Sequence, residues 1–230
     1  MRTVHFHSLS IAAIAVLAFA GSVAAQEKPS GLLNTLEVQQ LVKRAEPGDN
    51  ARLAAHFTAL AERYASEAKR HTSMAQSFVG NPSRNLGTGM SAHCKQLADL
   101  NTQSATAVRE LATYHGKLAS GAAATPPTAG ARFEGGAGAS VPTDKELNAL
   151  AAKASTPADH RSLEDYFVAL AKRYTADAKE HAAMAQSYRA STRLAGAGVH
   201  CDRLVDLARK AASEAAGAAA MHKKLAGAAH

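Results

Sequence analysis

Two stretches of the chain step between large side chains in the same alternation of four and three residues. The first runs Leu53, Phe57, Leu60, Tyr64, Glu67, His71, Met74, Phe78; the second runs Leu163, Phe167, Leu170, Tyr174, Asp177, His181, Met184, Tyr188. This spacing predicts a long helix in each stretch with all eight side chains on one face. The first half of each face is apolar. The second half is acid, imidazole, thioether and aromatic, which is unusual for a face that must be buried. A second pair of stretches follows with seams at Leu97, Leu100, Ser104, Leu111 and Leu118, and at Leu204, Leu207, Ala211, Ala218 and Leu225. No segment alternates with a period of two, so the expected class is all-α.

The two halves of the chain are copies of one another. Residues 60–77 read LAERYASEAKRHTSMAQS and residues 170–187 read LAKRYTADAKEHAAMAQS, with eleven of eighteen positions identical at an offset of 110. The offset falls to 107 beyond the loop, where His93-Cys94 matches His200-Cys201 and His115 matches His222. A helical hairpin, preceded by a short amphipathic helix, is therefore duplicated in tandem. Thr156-Pro157-Ala158-Asp159 is a helix start: Thr as cap, Pro in the first position, an acid at the third. Glu46-Pro47-Gly48-Asp49 is its weaker counterpart, and Gly80-Asn81-Pro82 ends the first long helix. The second long helices are expected from about Gly89 and Gly196. Residues 120–142 are rich in Gly, Ala and Pro without an apolar period, as in a linker. The expected organisation is a leader at 1–25, a first repeat at 36–119, the linker, and a second repeat at 143–226. Two hairpins with one seam each can bury those seams together as an antiparallel four-helix bundle, with the short helices before each hairpin.

The leader reading rests on Arg2, the apolar run Ile11–Ala20 and the small residues Val23-Ala24-Ala25, the pattern of a cleavable secretory signal. The run is too short to span a bilayer and no later stretch is apolar enough, so a periplasmic or secreted protein without a transmembrane segment is expected. Composition adds two constraints. Trp is absent and Ala abundant, so the core must be a thin seam of Leu, Phe, Tyr and Met. The formal charge of +7 becomes +6 without Arg2, but Lys and Arg are interspersed with acids, and no basic run with interleaved aromatics points to nucleic acid.

The candidate chemistry lies on the seams. In a hairpin folded near residue 84, residue 74 is level with about residue 95, so His71 and Met74 are expected to face His93 and Cys94. His181 and Met184 should face His200 and Cys201 in the same way. Glu67 and Asp177 lie one turn deeper, where a carboxylate can orient a ligating imidazole. Imidazole with thioether, and thiol if available, suits a soft ion, and copper is the natural one outside the cytoplasm. The metal set is thus His71, Met74, His93, His181, Met184 and His200, with Cys94 and Cys201 as further ligands. The same two cysteines, alone in the chain, are also disulfide candidates if both loops lie at one end of the bundle. His115 and His222 read as packing or capping residues near helix ends, with His56 beside them in the first copy.

No Ser/His/Asp pattern, nucleotide-binding Gly loop, CxxCH or HExxH appears, so binding, buffering or delivery of a metal is expected rather than catalysis. A bundle that holds b-type haem between His and Met is the alternative, and a ligand-free structural or interaction protein of the envelope is another.

Overall fold

The computed structural model describes residues 32–81, 84–120 and 142–228. The leader at 1–25 and nearly all of the 120–142 linker lie outside the described residues. Among the described residues there are six α-helices: α1 (Thr35–Arg44), α2 (Pro47–Val79), α3 (Arg84–Ala119), α4 (Asp144–Lys153), α5 (Pro157–Ala190) and α6 (Gly198–Ala228). A 3₁₀ turn, Ala195–Ala197, leads into α6.

The local signals explain the starts. Thr156 caps α5 by accepting from the Asp159 amide, while the Asp159 carboxylate accepts from the Thr156 amide. The same reciprocal pairing joins Asn34 with Glu37 at α1 and Thr143 with Glu146 at α4. Pro47 and Pro157 occupy first helical turns, where no amide hydrogen is missed. α3 starts at Arg84, ahead of the expected Gly89. The apolar seams are read correctly for the long first helices: all eight positions of each are buried. Leu118 departs from its expected seam position and is exposed.

α2 packs along α3, α5 along α6, and α3 along α6. The fourth side of the square, α2 beside α5, is closed by long side chains rather than close backbone approach. Arg63 of α2 meets Asp177 of α5, and Glu67 meets Arg173. The partner's number falls as the position on α2 rises, so the two helices are antiparallel. The hairpins therefore lie head to tail, with their loops at opposite ends. The result is an all-α bundle of duplicated hairpins.

Two buried clusters confirm this direction. One joins Met74, Phe78 and Cys94 from the loop end of the first hairpin with Leu163 and Phe167 from the open end of the second. The other joins Met184, Tyr188 and Cys201 with Leu53 and Phe57. The short helices interlock the copies: α1 packs on α5, and α4 packs on α2.

This direction corrects one expectation. Same-end loops were required for a Cys94–Cys201 disulfide, but the two cysteines are free and buried in separate clusters at opposite ends. Burial pushes both thiols up to about 12, so the reactive thiolate is scarce at neutral pH. Both cysteines should therefore resist maleimide in the folded protein and react fully after denaturation, with the mass of the unreacted chain matching two free thiols. A linked Cys94–Cys201 peptide in non-reducing mass spectrometry would contradict the head-to-tail packing.

Candidate functional site

The α2/α5 interface holds two related centres, each assembled from both copies. At the first, Arg63 donates to Asp177 at 2.9 Å and the Tyr64 hydroxyl lies 2.8 Å from His181 Nε2. At the second, Arg173 reaches Glu67 Oε1 at 3.0 Å, and Arg70 reaches the same oxygen at 3.1 Å. The offset of 110 makes Arg63 and Arg173 counterparts, as are Glu67 and Asp177, so a local two-fold axis relates the ion pairs. Arg63 also lies over the Tyr64 ring, and Arg173 over that of Tyr174.

The symmetry breaks at the histidines. Tyr174 is the counterpart of Tyr64 and would reach His71 by the same rule. Its oxygen instead accepts from Asn101 Nδ2 at 2.6 Å. The counterpart of Asn101 is Ala208, which has nothing to offer Tyr64. His71 is consequently wholly buried with neither ring nitrogen hydrogen-bonded among the described residues. Glu67 Oε2 is 3.9 Å from His71 Nε2, too far for a hydrogen bond. Tyr166 Oη and Arg173 Nε, on the facing helix, are also buried without a partner among the described residues. Each such atom costs about 1–3 kcal/mol unless a small polar guest satisfies it.

Electrostatics fix the charge states. Burial pulls His71 and His181 down to about 4, against the opposing pull of Glu67 and Asp177. Both imidazoles are neutral at pH 7, the form that ligates metals. Burial would raise Glu67, but Arg173 and Arg70 outweigh it and hold the carboxyl below its usual range. Burial drives Tyr64 and Tyr166 well above the ordinary phenol value, so both keep their protons.

The second-copy centre opens into a small recess of about 60 Å³. Its lining includes His56, Glu180, His181 and Met184, beneath α1. His181 Nδ1 is buried there without a partner among the described residues. The Leu33 amide donates to His56 Nδ1 at 3.0 Å, which seats the chain entering α1 on α2. Spacing along the chain gives His56 a packing role; its place at the recess depends on α1 covering the other copy, which that spacing does not reveal.

The expected ligand sets divide accordingly. His71 with Met74, and His181 with Met184, share one buried helix face as expected. Met74 and Cys94 share one buried cluster, and Met184 and Cys201 share the other. His93 and His200 are not brought to these centres. Each turns toward the other copy's second long helix: His93 Nδ1 is 2.8 Å from Glu214, and His200 Nδ1 is 3.1 Å from Glu110. The close α3/α6 contact draws them there, with His93 lying against Gly217. Among the described residues, no group of three or more His, Cys, Asp or Glu gathers as a metal cage. Nor is any described helix long and apolar enough to cross a membrane.

No family model, curated protein or solved structure matches this chain.

The neutral buried imidazoles make stability acid-sensitive. His71 and His181 sit near 4 when folded against 6.5 for the ordinary group. Their contribution is therefore full above about pH 6.5 and declines as pH falls toward 4. Glu67, already below 4.5, adds to the loss only at lower pH. Between pH 7 and pH 5 each histidine should cost on the order of 1–2 kcal/mol. Thermal melts should show Tm falling by several degrees over that interval, and less in His71→Leu. An unchanged Tm would contradict the buried neutral state.

Proposed function

We propose that this chain is a non-catalytic metal-binding bundle of the periplasm or extracellular space, taking up copper as Cu(I) through His181 with Met184 and through His71 with Met74. The observation that carries the reading is His181. One ring nitrogen is fixed by Tyr64, and the other has no partner among the described residues at a small recess shared with Met184. A ligating histidine commonly has this arrangement, its far nitrogen held by an outer partner and its near one bare. Neutral imidazole and thioether favour a soft ion of low coordination number. Among the described residues no three His, Cys, Asp or Glu side chains gather, whereas a structural zinc site takes four protein ligands.

In the first-copy centre, His71 and Met74 offer the same donor pair, with Glu67 close to the imidazole. His93 and His200 are left out of both sites because their carboxylate partners hold them at the α3/α6 contact. The leader pattern supports export, and the lack of a catalytic motif supports storage or delivery over turnover. A ligand-free scaffold is the competing reading, favoured by the enclosed placement of His71.

Competition titration against a Cu(I) chelator distinguishes them. His181→Ala should weaken the second-copy site by about tenfold or more. Met184→Leu, similar in volume, should weaken Cu(I) and leave the modest affinity for Zn(II) unchanged. Leu170→Ala, on the same helix face but three turns away, should lower stability by about 2–5 kcal/mol and leave affinity intact. If all three variants bind as the parent does, the histidines and methionines are packing residues. A Soret band in protein purified from its native compartment would reassign the centres to haem.

A further inference from the structure

At the end of the bundle where α5 begins, His160 and His222 face each other. Their Nδ1 atoms are 3.3 Å apart and their ring centroids 5.5 Å apart. The shorter gap falls below the longer by about the width of one imidazole, so the two nitrogens point at one another along the line joining the rings. His222 is wholly buried, with the rings of Phe78 and Phe167 on it, and His160 is nearly so.

The opposite end of the bundle shows what this arrangement replaces. His115, the counterpart of His222, is bonded on both sides: Nδ1 to Asn50 at 2.8 Å and Nε2 to the Tyr188 hydroxyl at 2.6 Å. His160 stands where Asn50 would, and Phe78 where Tyr188 would. The second end has therefore exchanged an amide and a hydroxyl for an imidazole and a phenyl ring. Among the described residues, His222 Nε2 is left buried and without a partner. A packing histidine is already provided for by the first end, and the second end departs from it in the direction of two opposed nitrogen donors.

We propose that His160 and His222 form a separate two-imidazole site for a monovalent soft ion, Cu(I) in particular, held between the two Nδ1 atoms. The separation of 3.3 Å is long for a nitrogen–nitrogen hydrogen bond. Two opposed nitrogens, each about 2 Å from a shared ion, stand about 4 Å apart. A modest rotation of the His160 side chain, at the first turn of α5, opens the gap to that span. The charge of the ion follows from the surroundings. Both imidazoles are neutral donors, Phe78 and Phe167 are apolar, and the acid next to His160, Asp159, is half-buried, where a single negative charge favours a monovalent ion. The cost of burying an ion rises with the square of its charge, so neutral ligands in an apolar pocket select +1 over +2. Met90 and Cys94 belong to the same buried cluster as Phe78 and Phe167, which adds soft, polarisable surroundings.

His160→Asn is the decisive variant, because Asn50 shows that an amide at this position bonds to the facing imidazole. Anaerobic Cu(I) titration of the mature chain should give one equivalent fewer for His160→Asn than for the parent. His181→Ala should remove a different equivalent, and the double variant both. If His160→Asn takes up the same number of equivalents as the parent, the site does not exist. If only His181→Ala is silent, the recess reading fails and this one stands. Ring nitrogen NMR on the parent gives an answer independent of the variant's folding. Adding Cu(I) should shift Nδ1 of both His160 and His222, and resonances left in place would overturn the proposal.

Discussion

The bundle depends on two reciprocal ion pairs, Arg63 with Asp177 and Arg173 with Glu67. Because the copies carry the same residues at the same seam positions, their direction of packing decides what meets what. Laid parallel and in register, Arg63 would face Arg173 and Glu67 would face Asp177, burying like charges together. Laid head to tail about the point midway between these positions, each arginine meets an acid. The second arrangement turns two repulsions into two attractions, and the chain adopts it. Buried ion pairs add little net stability, since desolvation offsets the attraction. Their effect is on the choice between arrangements, where the rejected one carries the full penalty of unpaired or like buried charge.

Everything of chemical interest follows from that direction. It brings Arg173 of the other copy to Glu67 beside His71, and His181 to Tyr64. It sends Cys94 and Cys201 to opposite ends. It carries α1 onto α5 and α4 onto α2, so that each short helix covers the interface from the far side. The long arginine and tyrosine side chains hold α2 and α5 apart, while Ala and Gly let α3 and α6 close up. The polar residues thus gather on the wide side and the small residues on the narrow one.

Much of this was legible in the sequence. The four-three spacing gave both long buried faces, the 110-residue offset gave the duplication, and Thr156-Pro157 and Pro47 gave the helix starts. The direction of packing was not legible from the seam alone. Arg63 and Arg173 lie next to the seam rather than on it, so a reading confined to large and apolar positions passes over them. Without the arginines, parallel and head-to-tail packing look alike, and parallel packing implies a disulfide. The positions of His93 and His200 are illegible for a related reason. Level positions within a hairpin do not tell which way a side chain at its edge turns, and Glu214 and Glu110 of the other copy captured them. The asymmetry at His71 hangs on Asn101 against Ala208, a difference visible in the repeat alignment but meaningful only once Tyr174 is seen beside it.

The most direct test is a double-mutant cycle between Glu67 and Arg173, using Glu67→Gln, Arg173→Met and the double variant, followed by chemical denaturation. Direct contact across the hairpins requires a coupling energy well above the ~0.5 kcal/mol expected of distant sites, with the double variant more stable than the sum of the single losses allows. The same cycle between Glu67 and Arg63, which lie on one helix a turn apart with separate partners, should give a smaller value. Coupling near zero between Glu67 and Arg173 would contradict head-to-tail packing, and with it the placement of both histidine centres.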